Sequence, residues 1–336
     1  MKTSSHPRLK GPRMDPSLPR NETQVRRLEA LRLAMAPIVP YLDDDLVVEI
    51  ALNADGKIWV ERVGERMSQT AARMSVTDAL RMLQLVANTM NTEITEAKPS
   101  LAALIPGWGT RLQAMIPPVV EAPVFTIRKP PKQVFTLDNY IERAIISPGQ
   151  VDLIRAAVRE RANILVGGST GAGKTTLANA ILHEIAVVTT DRIYIVEDMR
   201  ELQCSAPNKL QLFVQEPVYT FQRAIVDAMR SRPDRIVVGE VRDGAAALVL
   251  IKAWNTGHPG GVATIHANDT GAMLDRVCQL VEEVIPSAPK GFIANTINIC
   301  IHITTDRTHP AGRRLSGMDR VVGVRGDGAW ALEPIS

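Results

Sequence analysis

Glycines at 168, 171 and 173, a lysine at 174 and threonines at 175 and 176 stand in one run, GGSTGAGKTT over residues 167–176. The apolar stretch Asn163-Ile164-Leu165-Val166 precedes it. From Gly168 to Thr175 the run fits GxxxxGK[ST], set between a predicted strand and a predicted helix. Polyphosphate needs a ring of amide donors that side chains would obstruct. Glycines let the backbone of Gly168, Ser169, Thr170, Gly171, Ala172 and Gly173 curl towards the oxygens, and the start of the next helix adds partial positive charge. Lys174 then reaches the β- and γ-phosphates and Thr175 offers a hydroxyl to Mg²⁺, with Thr176 completing the cradle. The pattern predicts a site for a nucleoside triphosphate.

Hydrolysis of a γ-phosphate also needs a group that orients water and charges that steady the transition state. Carboxylates at the C-terminal ends of strands face the crevice where open α/β sheets bind ligands. Glu240 ends the strand-like run IVVGE, and Glu197, Asp198 and Glu201 follow IYIV. His266 follows VATI, so it is expected on the same crevice. His258 lies in Gly257-His258-Pro259-Gly260, a turn signal in which a structural role is the stronger reading.

Two arrangements must position these groups. Beyond residue 148, strands and helices alternate, which predicts an α/β domain with a parallel-rich sheet. Its strands are expected at 163–166, 193–196, 210–214, 235–238 and 261–265, with helices near 220–230 and 244–255. At least one strand intervenes between the phosphate-loop strand and the strand ending at Glu240, as in RecA-like proteins. Small GTPases keep those strands adjacent and read guanine with NKxD, whereas here Asn208-Lys209-Leu210 is followed by Gln211. Before it, residues 23–129 read as a smaller α+β domain. Leu28, Leu31, Met35 and Val39 make a helical stripe between Val25 and Tyr41. Runs at 46–50 and 57–60 flank the hairpin signal Asn53-Ala54-Asp55-Gly56, a helix is predicted at 76–90, and strands at 112–116 and 124–127. Residues 130–147 read as a linker that opens on Lys129-Pro130-Pro131-Lys132. Residues 1–22 read as a disordered tail, residues 1–20 carrying five basic side chains against Asp15 and four prolines.

Composition narrows the chemistry. The chain has 336 residues, 45% of them apolar and 22% charged, enough for two domains with real cores. Aromatics at 4% and a net charge of +3 give no stacking platform or basic stripe, so direct sequence-specific nucleic-acid binding is not expected. Three scattered cysteines, Cys204, Cys278 and Cys300, exclude a disulfide framework and a four-cysteine zinc site. No secretory signal or spanning helix is legible.

GGSTGAGKTT, the acidic box Glu197-Asp198-Met199-Arg200-Glu201, RPDRIVVGEVR at 232–242 and GHPGGVATIHAN at 257–268 resemble the secretion ATPase family of type II and type IV secretion, pilus motors and conjugation. GTRLQAMIPPV at 109–119 and VFTIRKP at 124–130 extend the likeness and favour its conjugal-transfer branch. The resemblance implies a RecA-like ATPase, hydrolysing ATP with Mg²⁺, that works as a homo-oligomer, a ring of six. It implies a peripheral place at the cytoplasmic face of an inner membrane, among secretion or conjugation components. Lys174 and Thr175 would bind phosphate and Mg²⁺, Glu201 would polarise water, and Glu240 would hold Mg²⁺ through water. His266 would contact the γ-phosphate, and Arg111 and Arg128 would reach the nucleotide when the domains close. On chemistry alone either Glu201 or Glu240 can orient water. Other readings are a pilus retraction or type II secretion motor, a nucleotide-controlled structural ring with little hydrolysis, and a DNA translocase.

Overall fold

The computed structural model describes residues 22–63, 65–129, 134–215 and 218–335. The chain divides into two compact units, one up to residue 132 and one from residue 133. Most of the basic tail expected at 1–22 lies outside the described residues, as do residues 130–133 of the expected linker. Among the described residues, no helix is long and apolar enough to cross a membrane.

The first unit holds helices α1 (Glu22–Ala34), α2 (Val39–Asp43) and α3 (Val76–Thr89). Its strands are β1 (Val47–Leu52), β2 (Lys57–Arg62), β3 (Ser68–Arg73), β4 (Ser100–Ile105), β5 (Thr110–Met115) and β6 (Val124–Arg128). All pairings are antiparallel, in the order β3-β2-β1-β6-β5-β4. The stripe expected as one helix from Val25 to Tyr41 is split after Ala34, ahead of Pro37, since proline has no amide to carry the helix ladder. Its apolar face persists across the break: Leu31, Met35, Ile38 and Leu42 are all buried. Alternation along β4 and β5 puts Leu101, Ala103, Ile105, Leu112 and Ala114 inside, against Met82, Leu83 and Val86 of α3.

The second unit begins with α4 (Leu137–Glu142) and α5 (Pro148–Arg159). Residues 134–147, expected as linker, are therefore partly folded. Thr136 and Asn139 cap α4 reciprocally, and Leu137, Tyr140, Ile145 and Ile146 are core residues. There follow β7 (Ile164–Gly167), α6 (Lys174–Val188), β8 (Ile193–Glu197), β9 (Lys209–Phe213), α7 (Phe221–Arg230), β10 (Arg235–Val238) and α8 (Gly244–Asn255). The unit ends with β11 (Val262–Ile265), α9 (Thr270–Glu282), α10 (Lys290–Thr296), β12 (Ile299–Thr305), β13 (Arg313–Val324) and β14 (Trp330–Pro334).

The eight strands run in the order β14-β13-β12-β7-β11-β10-β8-β9. From β12 to β9 they are parallel; β13 and β14 are antiparallel additions at one edge. One strand, β11, separates the phosphate-loop strand β7 from β10, as the RecA-like reading requires. Every residue of β7, β8, β10 and β11 is buried, because helices cover both faces. Alternate residues serve opposite cores: Val166, Ile195 and Val237 face α5 and α6, while Leu165, Val196 and Ile236 face α7, α8 and α9.

At the far end of the strands from their loops, the Arg235 side chain is 1% exposed. Its Nε donates to Asp191 at 2.6 Å, and its two terminal nitrogens donate to the carbonyls of Gly260 (3.0 Å) and Val158 (2.9 Å). His258 bonds the Pro233 carbonyl through Nδ1 at 3.0 Å, the structural role read from its turn. Cys204, Cys278 and Cys300 are free and buried.

Candidate active site

The loop between β7 and α6 is curled by its glycines. A Cβ at Gly168 would collide with the Ile303 carbonyl of β12, so no larger residue fits there. Gly173 adopts φ 103° as the residue that starts α6. Ser169, Thr170 and Gly171 form the exposed tip of the loop, Ala172 is buried, and Thr175 and Thr176 are half-buried on the first turn of α6.

Lys174 is folded back over this loop and is 8% exposed. Its ammonium donates to the Ser169 carbonyl at 3.1 Å and meets His266 Nδ1 at 3.1 Å. An ammonium has no lone pair, so Nδ1 of His266 is the acceptor and Nε2 carries the ring proton. That proton points at Glu240, whose Oε1 lies 3.0 Å from Nε2. The His266 pKa is lowered by partial burial and by Lys174 and Arg242, against the pull of Glu240, so the ring stays neutral at pH 7. Arg242 closes the chain, bonding Glu240 Oε2 at 2.6 Å and Asp198 Oδ2 at 2.7 Å. Three strand ends thus converge: β11 supplies His266, β10 leads to Glu240 and β8 leads to Asp198.

The acidic box forms a second cluster. Glu197, the last residue of β8, is 1% exposed, and its Oε2 accepts the backbone amides of Glu201 (3.0 Å) and Leu202 (2.9 Å). Gln211 on β9 donates to its other oxygen. Burial pushes the Glu197 pKa up to about 7, opposed by those three hydrogen bonds. The loop therefore folds back on a buried acid and turns Glu201 towards α6. There Thr175 Oγ1 donates to Glu201 Oε2 at 3.3 Å, and Asn179 donates to the Glu201 carbonyl at 2.9 Å. The sequence identified Lys174, Thr175, Glu201, Glu240 and His266, and the structure brings them together around one loop. It did not single out Glu197, Asn179 or Gln211 as the supports of Glu201. Arg242 is bonded within the site to Glu240 and Asp198.

The Thr175 hydroxyl is a hard oxygen donor of the kind Mg²⁺ selects, and in this structure it donates to Glu201. Among the described residues, no group of three or more His, Cys, Asp or Glu could hold a metal alone.

Arg111 and Arg128 belong to the first unit. They are directly opposite each other on β5 and β6, and Arg128 is opposite Glu49 on β1, itself opposite Glu61 on β2. One row across four strands therefore reads Arg, Arg, Glu, Glu. Like charges directly opposite on a sheet are destabilising. Burial raises the Glu49 pKa, helped by Glu61 and opposed by Arg128.

The sequence model of the family described as "Type II/IV secretion system protein" matches residues 32–313. The chain belongs to this family. The probable conjugal transfer protein TrbB of Sinorhizobium fredii is 43% identical over 281 residues, which cover 83% of this chain and 85% of that protein. The conjugal transfer protein TrbB of Rhizobium radiobacter is 40% identical over 285 residues, 84% of this chain and 86% of that protein. The X-ray structure of the Legionella pneumophila ATPase DotB shares the fold, with a TM-score of 0.56 at 19% identity, covering 97% of this chain and 83% of that one. The secretion-family match spans every site residue predicted from sequence, from Arg111 to His266.

Proposed function

We propose that this chain is a Mg²⁺-dependent, ATP-hydrolysing motor of type IV secretion that drives conjugative transfer, acting as a ring of six copies at the cytoplasmic face of the inner membrane. Family membership and the likeness to two TrbB proteins support the setting. One observation carries the chemistry. The lysine of the phosphate loop, a neutral histidine and a glutamate form a continuous hydrogen-bonded chain beside a threonine–glutamate pair.

In this reading the amides of 168–173 and the Lys174 ammonium bind the phosphates. Thr175, with Glu240 acting through water, would hold Mg²⁺, which supplies charge to the leaving phosphate oxygens. Glu201 orients water for attack on the γ-phosphorus and takes up its proton as the bond to ADP breaks. His266 donates from Nε2 to Glu240, and its place beside Lys174 suits it to detect a γ-phosphate. Arg111 and Arg128 would add guanidinium groups from the first unit, able to engage phosphate oxygens bidentately.

Phosphate release from wild type and Glu201→Gln tests the hydrolytic part. The variant should fall at least about a hundredfold, the lower end of the range for losing a positioned acid–base group. Equal rates would remove Glu201 from the chemistry. No turnover in either protein would favour a nucleotide-controlled structural ring.

A further inference from the structure

The loop between β7 and α6 has two sides. The acids and His266 arrive from β11, β10 and β8, on one side of β7. From the other side, across β12, comes a single arginine. Arg313 is the first residue of β13 and is paired with Thr305 of β12. Its guanidinium lies against Gly173: a Cβ there would be 2.5 Å from one terminal nitrogen and 3.5 Å from the guanidinium carbon.

This is an unfavourable place for a cation standing alone. Gly173 begins α6, where the helix presents partial positive charge, and Lys174 is the next residue. The acid on the same hairpin does not neutralise Arg313, since Asp306 bonds Arg314 at 3.0 Å and Thr308 at 2.6 Å. Among the described residues, Arg313 has no carboxylate within ion-pair distance. It is half-buried, so water screens it only in part. A helix start, an ammonium and a guanidinium all directed at one curled loop make sense together only around a polyanion.

We propose that Arg313 is a nucleotide-binding residue, engaging the phosphate chain on the side of the cradle remote from Glu201 and Glu240. The inference rests on reading the loop as the ATP site and adds a contact from a strand outside every motif of that reading. Because Arg313 approaches away from the acids, it holds the portion common to ATP and ADP rather than the reacting γ-phosphate. Its contribution therefore belongs to binding and not to the chemical step.

The test is calorimetric binding of MgADP and MgATP to the full chain, with steady-state hydrolysis alongside, for wild type, Arg313→Ala, Arg313→Lys and Lys174→Ala. Arg313→Ala should weaken ADP and ATP alike by about 10- to 100-fold, as expected for a lost charge-assisted hydrogen bond. KM should rise accordingly, with kcat at saturation within about threefold of wild type. Arg313→Lys, which keeps the charge and loses the planar fork, should fall between the two. If Arg313→Ala melts early, Arg313→Lys carries the same comparison on a folded chain. Unchanged ADP affinity in both Arg313 variants, or a fall in kcat at unchanged KM, would overturn the assignment. If Lys174→Ala loses affinity while the Arg313 variants keep it, this inference alone fails. If wild type binds no ADP, the reading of the loop fails with it.

Discussion

The phosphate loop and the arginine row of the first unit handle charge in opposite ways. On the acid side of the loop, charges are answered: Lys174 by a carbonyl and an imidazole, Glu240 by His266 and Arg242, Asp198 by Arg242. On the first unit's sheet, Arg111 faces Arg128 and Glu49 faces Glu61, two like pairs on either side of the unlike pair Arg128 and Glu49. The difference teaches that, in the proposed reading, a phosphate would reach the two regions on different terms. The loop would exchange partners it already has, while the row would offer two neighbouring guanidinium groups of which one already faces a carboxylate.

The largest expected effect breaks the first half of this contrast. Lys174→Ala should abolish turnover, by at least about a thousandfold, since it removes a preorganised charge at the phosphates. Its melting temperature should stay close to wild type, and phosphate release with thermal melting checks both. Turnover near the wild-type rate would mean that the wired loop is not the reaction centre. Arg128→Ala addresses the other half. We expect activity to fall by about 10- to 100-fold, the loss of one charge-assisted contact. The fold should change little, because losing the pair with Glu49 is offset by removing one of two opposed arginines. A collapsed melting temperature in that variant would show that Arg128 serves packing.

The smallest effect concerns the support beneath Glu201. Glu197 holds its proton up to about pH 7 in the fold, whereas an ordinary glutamic carboxyl releases it near 4.5. The contribution of this group to stability is therefore present below pH 4.5 and is lost as the pH rises to 7, by at most about 3 kcal/mol. Denaturant unfolding of wild type and Glu197→Gln at pH 5 and pH 8 measures the difference. The wild-type loss on raising the pH should shrink in the variant. Identical pH dependence in both would mean that the buried carboxyl does not titrate in this range.

Much of this was legible in the residues. The phosphate loop, Glu240 and His266 were readable because glycine spacing and strand-terminal positions are local properties, whereas Glu201 was told apart from Glu197 and Asp198 only by the family resemblance. The continuous apolar runs of β7, β8, β10 and β11 announced a sheet covered on both faces. β3, with the sequence SQTAAR and no buried residue, gave no apolar alternation to detect. β13 mixes polar and apolar residues and shifts register at its contacts with β12 and β14, which hides its period. α4 was masked by the prolines just before it. The support given by Glu197 depends on a loop returning four and five residues later to a buried carboxylate. Arg313 is brought to Gly173 only by strand pairing, which no local pattern encodes.

Lys174 has a finite number of hydrogens to give. Its ammonium carries three, and at least two are already committed, to Ser169 and to His266. In the proposed reading a phosphate oxygen takes the remaining hydrogen or displaces one of these partners, of which the imidazole, half-exposed on its loop, is the more easily moved. Once released, Nδ1 of His266 is a vacant lone pair on a ring still tethered to Glu240. In that reading, occupancy would be announced mechanically, by one side chain losing a handhold while its neighbour stays fixed.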